Sequence, residues 1–338
     1  LVRMERPVPA AGTGGSRILL VSTDPGSGMA TDIKPGEYAP VPECADLYYL
    51  DTDMYDTANY GSVYLLDAER PAVIDTGLGN NREFLFDALD ELGMTPEFVL
   101  PTHVHLDHAG GAGFLAERYP DATVLIHETG VEHLVDPERL VEGTKAAVGD
   151  QWRFYVEPEP IPEDRIEPLS GGETIDLGDR DLDVHYAPGH APHQVVFHDR
   201  GDDVVFTGDA AGIYVPQLDT IEQTSPPSQF NLHGCQEDAD MIRDLDPRYL
   251  CFGHFGPREF DDDMLAGYKR TLAEWVEAVR QRREALGDDE AVIEHFAEHA
   301  PQDLIDVWGE RKAREEQRMN TRGVLGYLDY MEKQGEPI

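Results

Sequence analysis

Pro101-Thr-His-Val-His-Leu-Asp-His-Ala-Gly-Gly111 sets His103, His105, Asp107 and His108 within six residues, directly behind the apolar run Phe98-Val99-Leu100. Side chains alternate along extended backbone, so His103 and His105 share one direction, while Asp107 and His108 enter the next turn and face another. Three imidazoles and a carboxylate this close would repel once protonated and would be costly to desolvate unpaired. A divalent cation is their natural partner, and one loop of this pattern can serve two metals.

The remaining ligands must come from elsewhere, and three candidates each close an apolar run. His190 follows Leu182-Asp-Val-His-Tyr-Ala-Pro-Gly189, Asp209 follows Val204-Val-Phe-Thr-Gly208, and His254 follows Tyr249-Leu-Cys-Phe-Gly253. A strand, a glycine turn and then a ligand is how a sheet presents polar groups along one rim. In this order, and in these Pro-Gly-His and Thr-Gly-Asp contexts, the set resembles the metallo-β-lactamase superfamily of metallohydrolases over Leu47 to Gly256. Asp107 resembles the glyoxalase II and lactonase branches more than the β-lactam-hydrolysing ones.

The resemblance implies an α+β fold, a four-layer αββα sandwich with metals at one edge between two β-rich halves. It implies that His103, His105 and His190 hold one metal, that Asp107, His108 and His254 hold the other, and that Asp209 bridges them. Two divalent ions follow, zinc foremost, with iron or manganese also suited to His and Asp donors. A bridging hydroxide would attack an ester, thioester or lactone carbonyl while Asp107 orients the nucleophile and relays protons. Asp75, which ends the run Ala72-Val-Ile74, is expected to support the metal loop from behind. Tyr214 stands five residues after Asp209 and is expected to donate a hydrogen bond to the substrate carbonyl. The alternative on the same fold is a persulfide dioxygenase with a single iron on His103, His190 and Asp209.

A chain of 338 residues with 40% apolar content suffices for one large domain or a domain with an appendage. Its 67 acidic residues face 27 basic ones, a formal charge of −40. Such self-repulsion opposes compaction in dilute buffer, whereas at 1 M salt the Debye length shrinks to about 3 Å. The acids are scattered along the chain, and the composition resembles that of a halophile's cytoplasmic protein, as in haloarchaea. A small-molecule substrate is expected, and nucleic acid is disfavoured because phosphate contacts need a surplus of lysine and arginine. Cys44, Cys235 and Cys251 are odd in number and unpatterned, which suits a reducing compartment. No apolar run approaches the length of a membrane span. Residues 1–28, with Arg3, Arg6 and Arg17 against Glu5 and Asp24, read as a disordered extension or an over-long start before Met29, with a docking strand at Arg17 to Ser22 as the alternative.

Residues 29–258 then form the sandwich and 259–338 a helical appendage, read as a lid or a homodimer surface. Strands are expected at Leu47 to Leu50, Ser62 to Leu66, Ala72 to Ile74, Phe98 to Leu100, Ala122 to Ile126, Glu173 to Asp176, Leu182 to Tyr186, Val195 to His198 and Val204 to Phe206. Helices are expected at Asn81 to Leu92, Ala109 to Tyr119 and Gly130 to Val148. In the tail they are expected from Met264, then at Ala291 to His299, Pro301 to Asn320 and Gly323 to Lys333. The substrate pocket is expected among Met54 to Tyr60, the insertion Gly130 to Pro168, Tyr214 to Phe230 and the helical tail. His193 reads as a pocket or outer residue, His127 as a supporting one, and His295 with His299 as a surface pair.

Overall fold

Short runs of β-branched and aromatic residues between turns become strands with two faces, and here they build two packed sheets. The computed structural model describes residues 33–227 and 229–335, which belong to one compact unit. The expectations for residues 1–28 lie outside them. The first sheet follows chain order through β1 (Tyr38–Pro40), β2 (Leu47–Asp51), β3 (Ser62–Leu66), β4 (Ala72–Ile74), β5 (Phe98–Leu100), β6 (Thr123–His127) and β7 (Ile166–Leu169). Its pairing is antiparallel as far as β4 and parallel from there to β7.

The second half supplies β8 (Thr174–Asp176), β9 (Asp181–Tyr186), β10 (Val195–Asp199) and β11 (Val204–Gly208). A separate hairpin of β12 (Ile213–Val215) and β13 (Thr220–Glu222) follows, then β14 (Tyr249–Phe252) and β15 (Gly256–Glu259). The second sheet is ordered β15-β14-β11-β10-β9-β8. Helices α1 (Arg82–Leu92), α2 (Leu106–Ala109), α3 (Ala112–Arg118), α4 (Val131–Val135) and α5 (Glu138–Val148) belong to the first half. Helices α6 (Leu232–Leu245), α7 (Asp262–Leu286), α8 (Asp289–Glu298) and α9 (Gln302–Gln334) belong to the second.

Alternation along each strand makes the layers. On β3, Tyr64 and Leu66 face the second sheet's Phe197 and Phe206, while Val63 and Leu65 face Leu85 and Leu89 of α1 and Leu115 of α3. On β10 and β11, Val196 and Val205 turn outward onto Ile242 of α6 and Leu265 of α7. Each fully buried Val, Leu, Ile or Phe contributes about 1.5–3 kcal/mol of transfer free energy. The four layers are those expected of an αββα sandwich.

Three helical expectations need correction. The helix expected at Ala109 to Tyr119 is two, because the chain at Gly110-Gly111 presses on its neighbours. A Cβ on Gly110 would lie 2.1 Å from the Leu106 carbonyl oxygen, and one on Gly111 would lie 2.6 Å from that of Thr76. The helix expected at Gly130 to Val148 breaks at Asp136-Pro137, since proline cannot donate into a continuing helix. The two helices expected after Pro301 are one run, α9, through Thr321 to Gly323. Its interruption is at Gly309, with φ 80° and ψ 152°. Gly323 instead is a contact position, where a Cβ would meet the Ser225 carbonyl oxygen at 1.8 Å.

Candidate metal centre

All seven candidate ligands follow strand ends and meet at one edge of the sandwich. His103 and His105 leave β5, Asp107 and His108 ride on α2, and His190, Asp209 and His254 follow β9, β11 and β14. Ligand atoms of His103, His105 and His190 lie within 4.8 Å of one another, as do those of Asp107, His108 and His254, and those of His103, His108 and Asp209. Asp209 stands between the groups. Its Oδ1 is 3.2 Å from His108 Nε2 and 3.6 Å from His254 Nε2, and its Oδ2 is 3.3 Å from His190 Nε2.

Hydrogen bonds behind the ligands fix which ring nitrogens face the centre. A carboxylate only accepts, so His108 Nδ1 donates to Asp75 Oδ2 at 2.9 Å, which points Nε2 at Asp209. Asp75 Oδ1 also accepts the Thr102 amide at 2.7 Å and the Thr102 hydroxyl at 3.0 Å. That hydroxyl must therefore accept from His103 Nδ1 at 3.1 Å, so His103 Nε2 carries a lone pair, which faces His105 Nδ1 at 3.0 Å. His254 Nδ1 donates to the Tyr60 carbonyl at 3.1 Å. One buried aspartate and one carbonyl thus aim three imidazole Nε2 atoms at the same space.

The donor set fits a cation. His108 Nε2 and Asp209 Oδ1 are buried without a hydrogen-bond partner among the described residues, which is costly unless a cation joins them. Burial, and then the neighbouring His108, His105 and His190, hold the His103 imidazole well below its ordinary value. Burial pushes His190 down to about 3, so these rings stay neutral and able to ligate. His108 goes the other way, since Asp209 and Asp75 outweigh its burial and raise its proton affinity. Asp209 is buried too, yet His108, His190 and His254 keep its carboxyl well below the usual range.

Residues 56–254 match the metallo-beta-lactamase superfamily. The chain belongs to that superfamily. A metallo-beta-lactamase fold-containing protein, ST1585 of Sulfurisphaera tokodaii, is 29% identical over 219 residues, 63% of this chain and 79% of that protein. The human acyl-coenzyme A thioesterase MBLAC2 is 29% identical over 181 residues, 48% of this chain and 62% of that one, so the chain spans less than two thirds of this relative. The crystal structure of ST1585 superposes with a TM-score of 0.65 at 23% identity over 83% of this chain and 99% of that one. A superfamily protein of Thermus thermophilus gives 0.60 at 24% identity over 86% and 94%. At these identities the superpositions speak for the fold.

A cavity of about 610 Å³ opens in front of the superfamily's metal edge. Tyr60, His193, Asp107 and Asp209 line its floor, and α5 and α9 contribute walls through Leu140 and Met319. His193 accepts the Val104 amide on Nδ1 at 3.4 Å and stacks on His103. His127 stacks on Tyr186 and bonds Thr129, away from the ligands. His295 and His299 sit together on α8 and its cap, with ring centroids 4.3 Å apart.

Tyr214, expected beside the substrate, is placed elsewhere. Its hydroxyl donates to Asp219 Oδ1 at 3.1 Å and its ring stacks on Phe252, which makes it a loop anchor. Two tyrosines from the β2–β3 loop stand nearer the centre. Tyr55 donates to Asp107 Oδ2 at 3.2 Å and shares a 2.6 Å hydrogen bond with Tyr155. Tyr60 packs its ring 4.8 Å from that of His254 and donates to Glu316 Oε2 at 2.9 Å. Glu316 pairs with Lys312, both almost wholly buried, and the Lys312 ammonium lies 3.8 Å over the Tyr60 ring. Tyr155, Lys312 and Glu316 are not recognisable from the sequence, since a lysine and a glutamate four apart on a helix read as a solvated pair.

Proposed function

We propose that the chain is a dinuclear, metal-dependent hydrolase of the glyoxalase II- and lactonase-like kind, acting on an ester, thioester or lactone carbonyl. The observation that carries this reading is the position of Asp209, with one carboxylate oxygen toward His108 and His254 and the other toward His190. His103, His105 and His190 would hold one cation, Asp107, His108 and His254 the second, with Asp209 shared between them. Two such cations, zinc foremost, supply Lewis acidity for a carbonyl and make water acidic enough to be a nucleophile near neutral pH.

The chain's own groups do the rest. Burial alone would protonate Asp107, but His108 and His254 keep its carboxyl below the usual range. An ionised carboxylate thus stands at the cavity wall, where it can orient water and accept its proton. The Tyr55 hydroxyl fixes one of its oxygens. Tyr60, wedged between His254 and Lys312, gives the floor a rigid edge against which an acyl group can rest. Similarity to an acyl-coenzyme A thioesterase supports a thioester as the first substrate to try.

The test is elemental analysis of protein purified in high salt without chelator, followed by a panel of thioesters, lactones and esters. About two zinc ions per chain and hydrolysis of at least one class are expected. One iron per chain, retained when His108 or His254 is replaced, together with oxygen uptake on a persulfide, would replace this reading with the dioxygenase.

A further inference from the structure

The cavity before the metal edge does not share the acidic excess of the molecule. Three carboxylates reach it: Asp107, Asp209 and Glu316. Asp107 and Asp209 lie among the imidazoles, where bound cations would neutralise them, and Glu316 is neutralised by Lys312. Two further cations line the same cavity, Arg139 in the first turn of α5 and Arg322 on α9. Neither forms an ion pair among the described residues, although Glu138 and Glu142 neighbour Arg139 on its own helix. Arg322 gives one N–H to the Ala147 carbonyl at 3.3 Å and joins Arg318 in lowering the proton affinity of Glu294, while most of its five donors have no hydrogen-bond partner among the described residues.

Arg153, Arg165, Arg270, Arg282 and Arg311 likewise form no ion pair among the described residues, but none of them lines this cavity. Arg180, Arg243, Arg283 and Arg318 each meet two carboxylates, as expected where 67 acids face 27 bases. What sets Arg139 and Arg322 apart is their place, two guanidiniums without an ion pair lining one cavity. The wall about them is apolar, with Leu140, Val148, Pro226 and Met319.

The geometry points to Arg139 and Arg322 as a subsite for an anionic group, phosphate or carboxylate, on the part of the substrate remote from the scissile carbonyl. This rests on the hydrolase reading above. A planar guanidinium offers paired N–H donors that match the oxygens of either anion. The substrate is then an amphiphile, with its carbonyl at the metal edge, an apolar stretch along α5 and α9, and a negative group at the rim. A surface of charge −40 repels such a molecule at long range, and the two guanidiniums reverse the sign locally. Contact pairs also outlast the salt that screens the rest of the surface.

The test uses the metal-loaded full chain and three non-hydrolysable thioethers, so that no free thiol binds metal. They are S-methyl coenzyme A, carrying phosphates, S-methyl glutathione, carrying carboxylates, and uncharged S-methyl N-acetylcysteamine. Calorimetry is run on the wild type, Arg139→Gln, Arg322→Gln, the double variant and Arg270→Gln, a control on α7 outside the cavity. One charged thioether is expected to bind and to lose about tenfold in affinity with each cavity variant, while Arg270→Gln leaves it unchanged. The phosphate or carboxylate compound that binds identifies the anion. Equal binding of charged and uncharged compounds, no binding of either charged compound, or affinities within about twofold in the variants overturn the subsite. Binding needs no turnover, so arginine-dependent binding without hydrolysis of any thioester, lactone or ester overturns the hydrolase reading alone, and hydrolysis without arginine dependence of binding overturns the subsite alone.

Discussion

Asp75 touches no candidate cation position, yet it orients two ligands, His108 directly and His103 through Thr102. Its φ is 56°, a left-handed conformation that asparagine also tolerates, so Asp75→Asn removes the charge without straining the backbone. Metal affinity is expected to fall about 10–100-fold, read by competition with a chelating dye. His193 gives a pH prediction. Burial, followed by His105 and His133, pushes its imidazole down to about 2 from an unfolded value near 6.5. The unfolded chain then binds the extra proton below about pH 6.5, so this residue's contribution to stability falls as pH drops from 6.5 toward 2, by about 1.4 kcal/mol per pH unit. Urea midpoints across that range should show a shallower acid slope for His193→Gln than for the wild type; parallel slopes would remove His193 as the source. That Asp75 and the seven candidate ligands gather at one edge was legible because they lie at or just beyond the ends of apolar runs that the sequence marks. Tyr214 was misjudged because proximity in sequence does not give direction. On β12, Ile213 and Val215 turn toward Leu304 and Trp308 of α9, so Tyr214 between them turns onto the outer face of the second sheet.

Among the elements, α9 was the least legible. Its apolar spacing announces a helix, but the kink at Gly309 and the inward turn of Lys312 and Glu316 depend on what the helix meets. Tyr60 gives Glu316 a hydroxyl, Asn320 gives it an amide at 3.3 Å, and Ser225 binds Asn320 in turn through its own amide at 2.7 Å. This network ties the helical tail to the β2–β3 loop, and so to the carbonyl that orients His254. Lys312→Met leaves a buried carboxylate without its cation and is expected to cost about 3–5 kcal/mol. Lys312→Met with Glu316→Leu should cost less, because neither charge is then stranded. Denaturant unfolding of both variants decides it; a double variant less stable than the single one would contradict the assignment.

For the whole molecule, two β-rich halves could be read because strand alternation and strand-end ligands repeat in both, whereas β1, β7, β15 and the hairpin of β12 and β13 were not expected. The tail's packing could not be read, since it follows from surfaces brought together only in the fold. The charge of −40 is dispersed over that fold, and its cost depends on screening. Lowering salt from about 1 M to 0.1 M lengthens the Debye length from about 3 to 10 Å. Midpoints of thermal unfolding are therefore expected to fall steeply over that range, and a salt-independent midpoint would refute the halophilic reading. Chain order has one more outcome. His254 precedes every residue of α9, and domains form from the N-terminal side during synthesis. On the ribosome all seven candidate ligands are made before the α9 wall of the cavity, so an ion can meet them through a wider mouth than the finished cavity offers.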